Sequence, residues 1–319
     1  MISIVIPLFN EAESLPQLHQ EIDEAARGHG LDVEVIFVND GSTDQSWETI
    51  RKLALNDDRV RGIRFRRNFG KAAALSAGFI AARGDTILTL DADLQDNPKE
   101  IPRFLKALEE GKDVISGWKR ARYDPWHKVL PSRIFNWMVG KLTGVWLHDH
   151  NCGFKCYRAE VFREVRLYGE LHRFIPVLAF ARGFRIGEIE VEHRRRKFGR
   201  SKYGMRRFVK GFLDLMTVKF LTSFSHRPQH VLGSIGLAAF GLGVVGLAWL
   251  AVTWVIRLFE PDWFLPLHQR PLLIYSVAAL LLGTQMLTMG FIAELLTAHN
   301  ARHADEYSIA ETTFKTASD

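Results

Sequence analysis

Asp91 and Asp93 give the clearest chemical signal in the sequence, because two carboxylates two positions apart can reach one hard cation from a single turn. They follow a short apolar run, 86–90, and begin the segment Asp91-Ala92-Asp93-Leu94-Gln95-Asp96. We expect both carboxylates to lie in a solvent-facing loop and to hold a divalent cation that keeps open positions for diphosphate oxygens. Helix capping is an open alternative, whereas an EF-hand loop is rejected because Asp96 stands where that loop needs glycine.

Two more polar segments follow apolar runs in the same way. Pro7-Leu8-Phe9-Asn10-Glu11 ends the first run, and Asn39-Asp40-Gly41-Ser42-Thr43-Asp44 follows the second. If these runs are strands of one sheet, the three acidic segments converge at one edge of it. Asp44 or Ser42 is equally well explained as the N-cap of the helix that follows.

The elements that must position these segments are short apolar runs that alternate with stretches of helical periodicity. Strands are predicted at 3–8, 33–38, 60–65, 86–90 and 114–117, and helices at 15–26, 45–55, 71–82 and 100–108. This alternation indicates an α/β domain with a doubly wound parallel sheet. Ligands bind such sheets beyond the carboxyl ends of the strands, where the polar segments lie.

The composition of the 319-residue chain is that of a folded protein. Hydrophobic residues make up 47% of it, with 11 Pro, 25 Gly and two Cys, which excludes disordered, collagen-like and disulfide-scaffold proteins. Cys152 and Cys156 are predicted to be reduced thiols, because no His or second Cys pair completes a zinc site. The first 230 residues hold 38 Lys and Arg against 29 Asp and Glu, and the remainder holds 4 against 7.

Two uncharged stretches, 231–256 and 271–293, predict transmembrane helices. As helices they measure about 39 Å and about 34 Å, more than the ~30 Å hydrocarbon core of a bilayer. A pair of buried core helices is the alternative. Gly241-x-Gly243-x-x-Gly246 matches a dinucleotide-binding pattern, but no strand precedes it, so close helix packing explains it better.

A basic run precedes the first span, with nine Lys or Arg and no acid over 194–210. The positive-inside rule places this flank and the domain before it in the cytoplasm, at the inner or plasma membrane. No nucleic-acid module accompanies the run, so we expect no nucleic-acid partner. Phenylalanine or methionine then recurs every fourth residue, which indicates an interfacial helix or, alternatively, a helix packed on the domain: Phe208, Phe212, Met216, Phe220 and Phe224.

The predicted organisation has four parts. A catalytic domain covers 1–205, an interfacial helix with a linker 206–230, two membrane spans 231–293 (231–256 and 271–293), and a cytoplasmic tail 294–319.

Six motifs in order resemble those of inverting family 2 glycosyltransferases of the polyprenyl-phosphate sugar synthase type. The resemblance covers roughly residues 1–225. The motifs are Pro7-x-x-Asn10-Glu11, Asn39-Asp40-Gly41-Ser42-x-Asp44, Arg67-Asn68-Phe69-Gly70-Lys71, Asp91-Ala92-Asp93-Leu94-Gln95-Asp96, Asp149-x-x-Cys152-Gly153-Phe154 and Arg196-x-x-Gly199-x-Ser201-Lys202-Tyr203.

The resemblance implies a GT-A fold, a nucleotide-diphosphate sugar linked to UDP or GDP as donor, and a polyprenyl phosphate as acceptor. Base and ribose would lie against Pro7, Phe9, Glu11, Val38 and Asp40, and Ala92 would touch the nucleotide. Mg²⁺ or Mn²⁺ would be held by Asp91 and Asp93, with Gln95 nearby. Lys71, Arg120 (or Lys119), Arg196 and Lys202 would face phosphate groups of the donor or acceptor, and Arg133, Ser201 and Lys202 would bind the lipid phosphate. Phe9 departs from the family, where Tyr is common, so any hydroxyl contact at that position is lost.

The predicted reaction transfers a hexose with inversion, and it needs little base catalysis, since a phosphate monoester is mostly dianionic at about pH 7. Asp149 is therefore a candidate catalytic residue that orients or assists, with a structural role as the alternative. Three other functions stay open: transfer to a diacylglycerol-like or ceramide hydroxyl, polysaccharide synthesis, and a non-catalytic membrane subunit. The chain lacks any Arg-Trp pair, which counts against the polysaccharide synthases. A homo-oligomer is also left open.

Overall fold

The chain divides into two units, Met1–Thr222 and Ser223–Asp319. The computed structural model describes residues 1–120, 126–165, 171–194, 206–223 and 228–301. Three predicted phosphate-binding residues, Arg196, Ser201 and Lys202, lie outside the described residues, as does the tail from 302 onward.

The first unit contains a sheet of seven strands in the described part of the chain. The strands are β1 (Ile2–Leu8), β2 (Val33–Asn39), β3 (Val60–Arg64), β4 (Thr86–Thr89), β5 (Val114–Trp118), β6 (Lys155–Arg158) and β7 (Ile186–Glu190). The helices of this unit are α1 (Leu15–Gly28), α2 (Ser46–Asn56), α3 (Lys71–Ala81), α4 (Ile101–Glu109), α5 (Trp126–Thr143), α6 (Glu160–Glu164), α7 (Ile175–Ala181) and α8 (Arg206–Ser223). Single 3₁₀ turns lie at Pro98–Glu100 and Leu171–Phe174.

The strand order is β3-β2-β1-β4-β6-β5-β7, and the sheet is mixed. The pairs β3–β2, β2–β1, β1–β4 and β5–β7 are parallel, as the strand–helix alternation predicts. The short strand β6 lies antiparallel between β4 and β5, so the predicted α/β sheet is confirmed as parallel-rich rather than purely parallel. Because β6 has four residues, two of them Lys and Arg, it carries no apolar run that would predict a strand.

Alternating side chains of the strands build a separate hydrophobic core on each face of the sheet. On β1, Ile4 and Ile6 join the core covered by α1, α2 and α4, whereas Val5 joins the core covered by α3. All seven residues of β1 and of β2 are buried, as expected for central strands with helices on both faces. The layers are therefore helix, sheet and helix, and the carboxyl ends of β1, β2 and β4 lie side by side.

A third apolar cluster joins α5 and α8 to the domain. Leu215 and Val218 of α8 are buried against side chains that include Phe135 and Val139 of α5. Phe212 and Met216, two members of the predicted stripe, are exposed instead. The helix thus packs on the catalytic unit through one face and leaves part of the phenylalanine stripe uncovered.

The second unit is a hairpin of two long helices, α9 (Pro228–Phe259) and α10 (Pro271–Ala301), joined through a 3₁₀ turn at Leu267–Gln269. Gln229–Phe259 and Pro271–Leu295 are long and apolar enough to cross a membrane. Only 17% and 11% of their most apolar windows are buried, which argues against core helices of a soluble protein. The glycine pattern at 241–246 lies inside α9, and a Cβ on Gly243 would approach the backbone nitrogen of Leu280 to 2.7 Å. This pattern therefore serves helix packing rather than nucleotide binding.

Candidate active site

Hydrogen bonds join the two polar segments that follow β1 and β2. The Asn10 N–H donates to Ser42 Oγ at 2.9 Å, and the Thr43 N–H donates to Asn10 Oδ1 at 2.8 Å. Asp44 accepts from the Ser46 N–H at 3.0 Å, at the start of α2, and from the Ala12 N–H at 3.2 Å. Gln45, rather than Asp44 or Ser42, is the N-cap residue of α2, and Asp44 instead connects the start of this helix to the loop after β1. The two loops therefore form one edge of the site.

Asp40 lies at the carboxyl end of β2 and binds the loop before α3. Its buried carboxylate accepts from the N–H groups of Phe69 and Gly70 at 2.7 and 3.0 Å. Burial raises the pKa of Asp40, although these two hydrogen bonds oppose the shift. In this structure Asp40 fixes the Arg67–Lys71 motif, and its predicted contact with the nucleotide stays a prediction.

Asp91 forms an ion pair with Lys71, the first residue of α3, through Lys71 Nζ and Asp91 Oδ1. Partial burial opposes ionisation of Asp91, but the neighbouring Lys71 ammonium outweighs it and lowers the pKa of Asp91 to about 2. The two side chains are about equally accessible, at 31% and 33% exposure. Asp91 is therefore a carboxylate that is ionised at neutral pH and open to a ligand from one side.

Asp93 is less accessible than expected. Only 7% of Asp93 is exposed, and its Oδ1 accepts from the Gln95 N–H at 3.2 Å. Leu94, between them, has a left-handed φ of 60°, so the chain turns sharply at this point. The expectation that Asp91 and Asp93 both face solvent is corrected: only Asp91 is substantially exposed.

Gly153 lies directly against the Asp91 carboxylate. A Cβ added to Gly153 would come within 2.4 Å of Asp91 Oδ2. The glycine of the Cys152-Gly153-Phe154 motif is thus explained by the space that Asp91 occupies.

Two further lysines with little exposure act on Asp91: Lys119, the alternative to Arg120 as a predicted phosphate-binding residue, and Lys155, for which sequence reasoning gave no role. Lys119 Nζ lies 2.7 Å from Oδ1 of the buried Asp96, and this carboxylate raises the pKa of Lys119 against the opposing effect of burial. Lys155 on β6 donates to the main-chain carbonyls of His150 and Cys152, and burial lowers its pKa. Lys119 follows the end of β5 and Lys155 lies on the short strand β6, so only the fold brings them to Asp91.

Asp149 is buried and lies in the turn that precedes the Cys152-Gly153-Phe154 motif, and its catalytic role stays a prediction. Its N–H donates to Glu188 Oε1 at 3.1 Å, and its Oδ1 accepts from the Asn151 N–H at 3.0 Å. Glu188 also accepts from the main chain and the ring of His148, at 3.1 and 2.7 Å. Glu188, which sequence reasoning missed, therefore holds the turn that contains Asp149.

The segment that leads into the basic run is attached to the loop after Asp93. The Arg194 N–H donates to the Gln95 carbonyl at 2.9 Å, and the Gln95 side-chain amide lies 3.4 Å from the Arg194 carbonyl. Asn97 donates to Glu192 at 2.7 Å. Gln95 is thus engaged with this segment, and its place beside a metal stays a prediction.

The remaining predicted residues divide into buried and exposed groups. Pro7, Val38 and Ala92 are buried, so a nucleotide contact at these positions would involve the main chain, while Phe9 and Glu11 are partly exposed. Arg120 is exposed at the end of β5 and lies 3.4 Å from Glu190. Arg133 is exposed on α5. The structure gathers Lys71, Asp91 and Asp93 at one edge and leaves Arg133 on a helix surface.

The donor set fits a cation that is completed by its substrate. No group of three or more His, Cys, Asp or Glu side chains within the described ranges is arranged to hold a metal ion. Mg²⁺ in nucleotide sites typically takes one or two carboxylates and fills its remaining positions with phosphate oxygens and water. Asp91 and Asp93 would supply such a pair, and the Lys71 ammonium group beside Asp91 would suit a diphosphate.

Comparison with known proteins places this geometry in a family. The model of the glycosyl transferase family 2 domain matches residues 3–166, which include β1 to β6 and the segments around Asp40, Asp91 and Gly153. The chain belongs to glycosyl transferase family 2. This family 2 glycosyltransferase is 38% identical over 300 residues to dodecaprenyl-phosphate galacturonate synthase of Rhizobium johnstonii, covering 92% of this chain and 87% of that protein.

This family 2 glycosyltransferase is also similar to a second transferase in sequence and to a solved structure in fold. It is 34% identical over 297 residues to undecaprenyl-phosphate 4-deoxy-4-formamido-L-arabinose transferase of Aeromonas hydrophila, covering 93% of this chain and 88% of that protein. The fold resembles glucosyl-3-phosphoglycerate synthase from Mycobacterium tuberculosis, crystallised with Mn²⁺ and UDP-glucose. The TM-score is 0.52 at 17% identity, over 70% of this chain and 78% of that one. The predicted family and the GT-A fold are confirmed.

Proposed function

We propose that this glycosyltransferase moves a hexose, with inversion, from a nucleotide-diphosphate sugar to a polyprenyl phosphate at the cytoplasmic face of a membrane. The observation that carries the proposal is the pair Asp91 and Asp93 at the carboxyl edge of the sheet, with Lys71 on Asp91. The relatives named above act on dodecaprenyl and undecaprenyl phosphate and align with more than nine-tenths of this chain.

The departing diphosphate is the first problem that the site must solve. A divalent cation, Mg²⁺ or Mn²⁺, held by Asp91 and Asp93 would neutralise the charge that develops on the leaving group. Lys71 lies beside this carboxylate pair and adds an ammonium donor that can reach phosphate oxygens. Arg196 and Lys202 follow closely after Arg194, which is bonded to the loop of Asp93, and we assign them to the donor diphosphate or the acceptor phosphate.

The acceptor needs cations more than it needs a base. A lipid phosphate monoester with a second pKa of ~6 is already a dianionic nucleophile at about pH 7. Asp149, buried and bonded to Asn151, is therefore assigned to positioning the loop before Gly153 rather than to proton removal. Attack from the side opposite the diphosphate inverts the anomeric carbon, so that an α-linked donor gives a β-linked product.

Two helices of the catalytic unit provide surfaces suited to a membrane. On α5, Ile134 and Trp137 are 47% and 54% exposed, and Lys141 Nζ lies 5.0 Å from the Trp137 ring. On α8, Phe212 and Leu213 are 43% and 59% exposed. Exposed aromatic and aliphatic side chains beside basic ones are typical of helices that lie in the membrane interface. With the hairpin of α9 and α10, these surfaces would keep the site at the level of the lipid phosphate, and Arg133 on α5 would contact that phosphate.

The proposal is tested by incubating the full-length protein in nanodiscs with a short polyprenyl phosphate and a panel of UDP- and GDP-sugars. The panel includes galacturonate and 4-deoxy-4-formamido-L-arabinose, the sugars that appear in the names of the relatives. An acid-labile lipid-linked sugar that forms with Mg²⁺ or Mn²⁺ and disappears with a chelator is the expected product. Transfer that is equally fast with and without chelator would contradict the metal assignment.

Variants connect that activity to the site. Asp91→Ala and Asp93→Ala should each reduce turnover by at least about a hundredfold, since a metal-stabilised leaving group is worth several kcal/mol. Asp58→Ala, at an exposed position, is the matched control and should retain wild-type turnover. Turnover of either site variant within threefold of the control would refute the assignment.

Transfer to a lipid hydroxyl is the alternative for the same fold, and its product would be stable to acid. The buried, hydrogen-bonded carboxylate of Asp149 argues against it, because such a reaction needs an accessible general base.

A further inference from the structure

Lys71 forms an ion pair with Asp91, the carboxylate to which the proposed function assigns a cation. It is the first residue of α3, and the Asp40 carboxylate holds the two N–H groups just before it. From there its side chain reaches Asp91 Oδ1. The Asp91 carboxylate therefore has a positively charged partner within the protein itself.

The other lysines that act on Asp91 within the described residues are fixed elsewhere. Lys119 is 13% exposed and paired with the buried Asp96, and Lys155 is buried and bonded to main-chain carbonyls. Lys71 is 31% exposed, and its ammonium sits on a flexible four-carbon stem. Of these three ammonium groups, that of Lys71 is the most exposed, which favours its movement to a new anionic partner.

An ammonium group and a divalent cation compete for the same carboxylate oxygen, because each repels the other at contact distance. A diphosphate removes the competition, since it offers oxygen ligands to the metal and a new anionic partner to the ammonium. The ion pair that Lys71 loses with Asp91 is then replaced only when metal and diphosphate are both present, because the metal binds Asp91 and the diphosphate binds Lys71.

We infer that Lys71 is a displaceable counter-ion of Asp91, which moves to the donor diphosphate and so makes metal and nucleotide binding mutually dependent. This inference rests on the proposed metal-assisted function. It adds that the protein has low affinity for the free cation and acquires it together with the donor. By linkage, the factor by which diphosphate strengthens metal binding equals the factor by which metal strengthens diphosphate binding.

The test measures Mn²⁺ binding to the full-length protein in detergent by electron paramagnetic resonance, with and without pyrophosphate or UDP. Pyrophosphate is used because it requires no choice of base. For wild type we expect Mn²⁺ affinity to rise at least about tenfold with pyrophosphate, within the usual 5- to 150-fold range of coupling between two sites. If the wild-type protein binds Mn²⁺ equally well with and without pyrophosphate, that result by itself overturns the inference.

The Lys71→Met variant separates displacement from simple support of the site. It should bind Mn²⁺ alone about tenfold more tightly than wild type, and pyrophosphate should strengthen that binding by a smaller factor. Lys71→Arg, which keeps a charge on Asp91, should not show the tightening, and Lys106→Met, at an exposed position on α4, controls for the loss of one positive charge. A folded Lys71→Met protein, judged by its thermal melt, with unchanged or weaker Mn²⁺ binding would overturn the inference. If no protein binds Mn²⁺ even with pyrophosphate, the metal site itself is refuted, and the inference falls with it.

Discussion

Gly153→Ala tests whether the position of the Asp91 carboxylate controls the reaction. The new methyl carbon would lie 2.4 Å from Asp91 Oδ2 and 2.6 Å from Asp91 Cγ, where ordinary contacts are 3.4 Å or longer. The carboxylate must therefore move by about 1 Å or rotate away from Gly153. Because Asp91 also forms an ion pair with Lys71, movement of the Asp91 carboxylate displaces both the proposed metal ligand and its counter-ion.

The expected effect is large on catalysis and small on folding. A displacement of about 1 Å at a reacting centre can cost ~100-fold in rate, so we expect turnover to fall by about that factor. The backbone of Gly153 does not have a positive φ, so alanine is compatible with its conformation. Alanine also reduces the entropy of the unfolded chain, and together these effects should keep stability within about 1 kcal/mol of wild type.

The assay compares metal-dependent sugar transfer and thermal melting of Gly153→Ala with those of Gly28→Ala. Gly28 ends α1, and a Cβ there would meet nothing within 4 Å, so this control makes the same chemical change in open space. Turnover of Gly153→Ala within threefold of the control would show that Asp91 need not be where the structure places it. Loss of folding would instead show that the contact with Asp91 is rigid, and that outcome also contradicts the reasoning.

Three further predictions concern the acceptor, the hairpin and acid stability. Arg133→Ala should raise the apparent KM for polyprenyl phosphate by about tenfold, the worth of one charge-assisted hydrogen bond, and leave that for the donor unchanged; an unaltered acceptor KM would count against the role. Gly243→Val should lower the melting temperature of the full-length protein more than Gly241→Val, because only the former meets the facing helix; equal melts would disprove that packing. Asp57 has its pKa lowered mainly by hydrogen bonding to Arg59, so its stabilising contribution is complete above its unfolded pKa of about 4 and disappears as the pH falls further. Asp57→Asn should therefore flatten the drop in melting temperature below about pH 4, and a drop as steep as that of wild type would contradict this.

The parts of the fold that could be predicted from sequence are those with a local pattern. Strands β1 to β5 and the helices between them follow from apolar periodicity, since each must bury a face to be stable. The strand β6 could not be predicted, because its four residues gain their place from pairing with β4 and β5 rather than from their own sequence. Strand β7 could not be predicted either, since two of its five residues are Glu and none of the five is fully buried.

The residues of the site likewise divide into those that sequence motifs predict and those that only the fold brings together. Asp91, Asp93, Lys71 and the glycine of Cys152-Gly153-Phe154 stand in motifs that the sequence displays, and the structure brings them together. The exposure of Asp93 was misjudged, because its position after a strand does not reveal how its side chain turns inward to accept from Gln95. Glu188, which accepts from the Asp149 N–H, lies 39 residues away on β7, a separation at which no local pattern operates.

The ion pair of Lys119 and Asp96 joins a residue of a motif visible in the sequence to a partner that only the fold supplies. Asp96 ends the acidic motif, and a carboxylate with 1% exposure would be costly without a counter-ion, so its burial requires a cation from elsewhere in the fold. Lys119 meets that requirement from the end of β5, and the pairing ties the loop of Asp91 and Asp93 to the strand that follows it. Lys71 and Lys119 each pair with an aspartate of the same motif, but Lys71 is 31% exposed and Lys119 is 13% exposed. The structure thus separates a fixed counter-ion, which holds the loop, from an exposed one, which is available to the substrate.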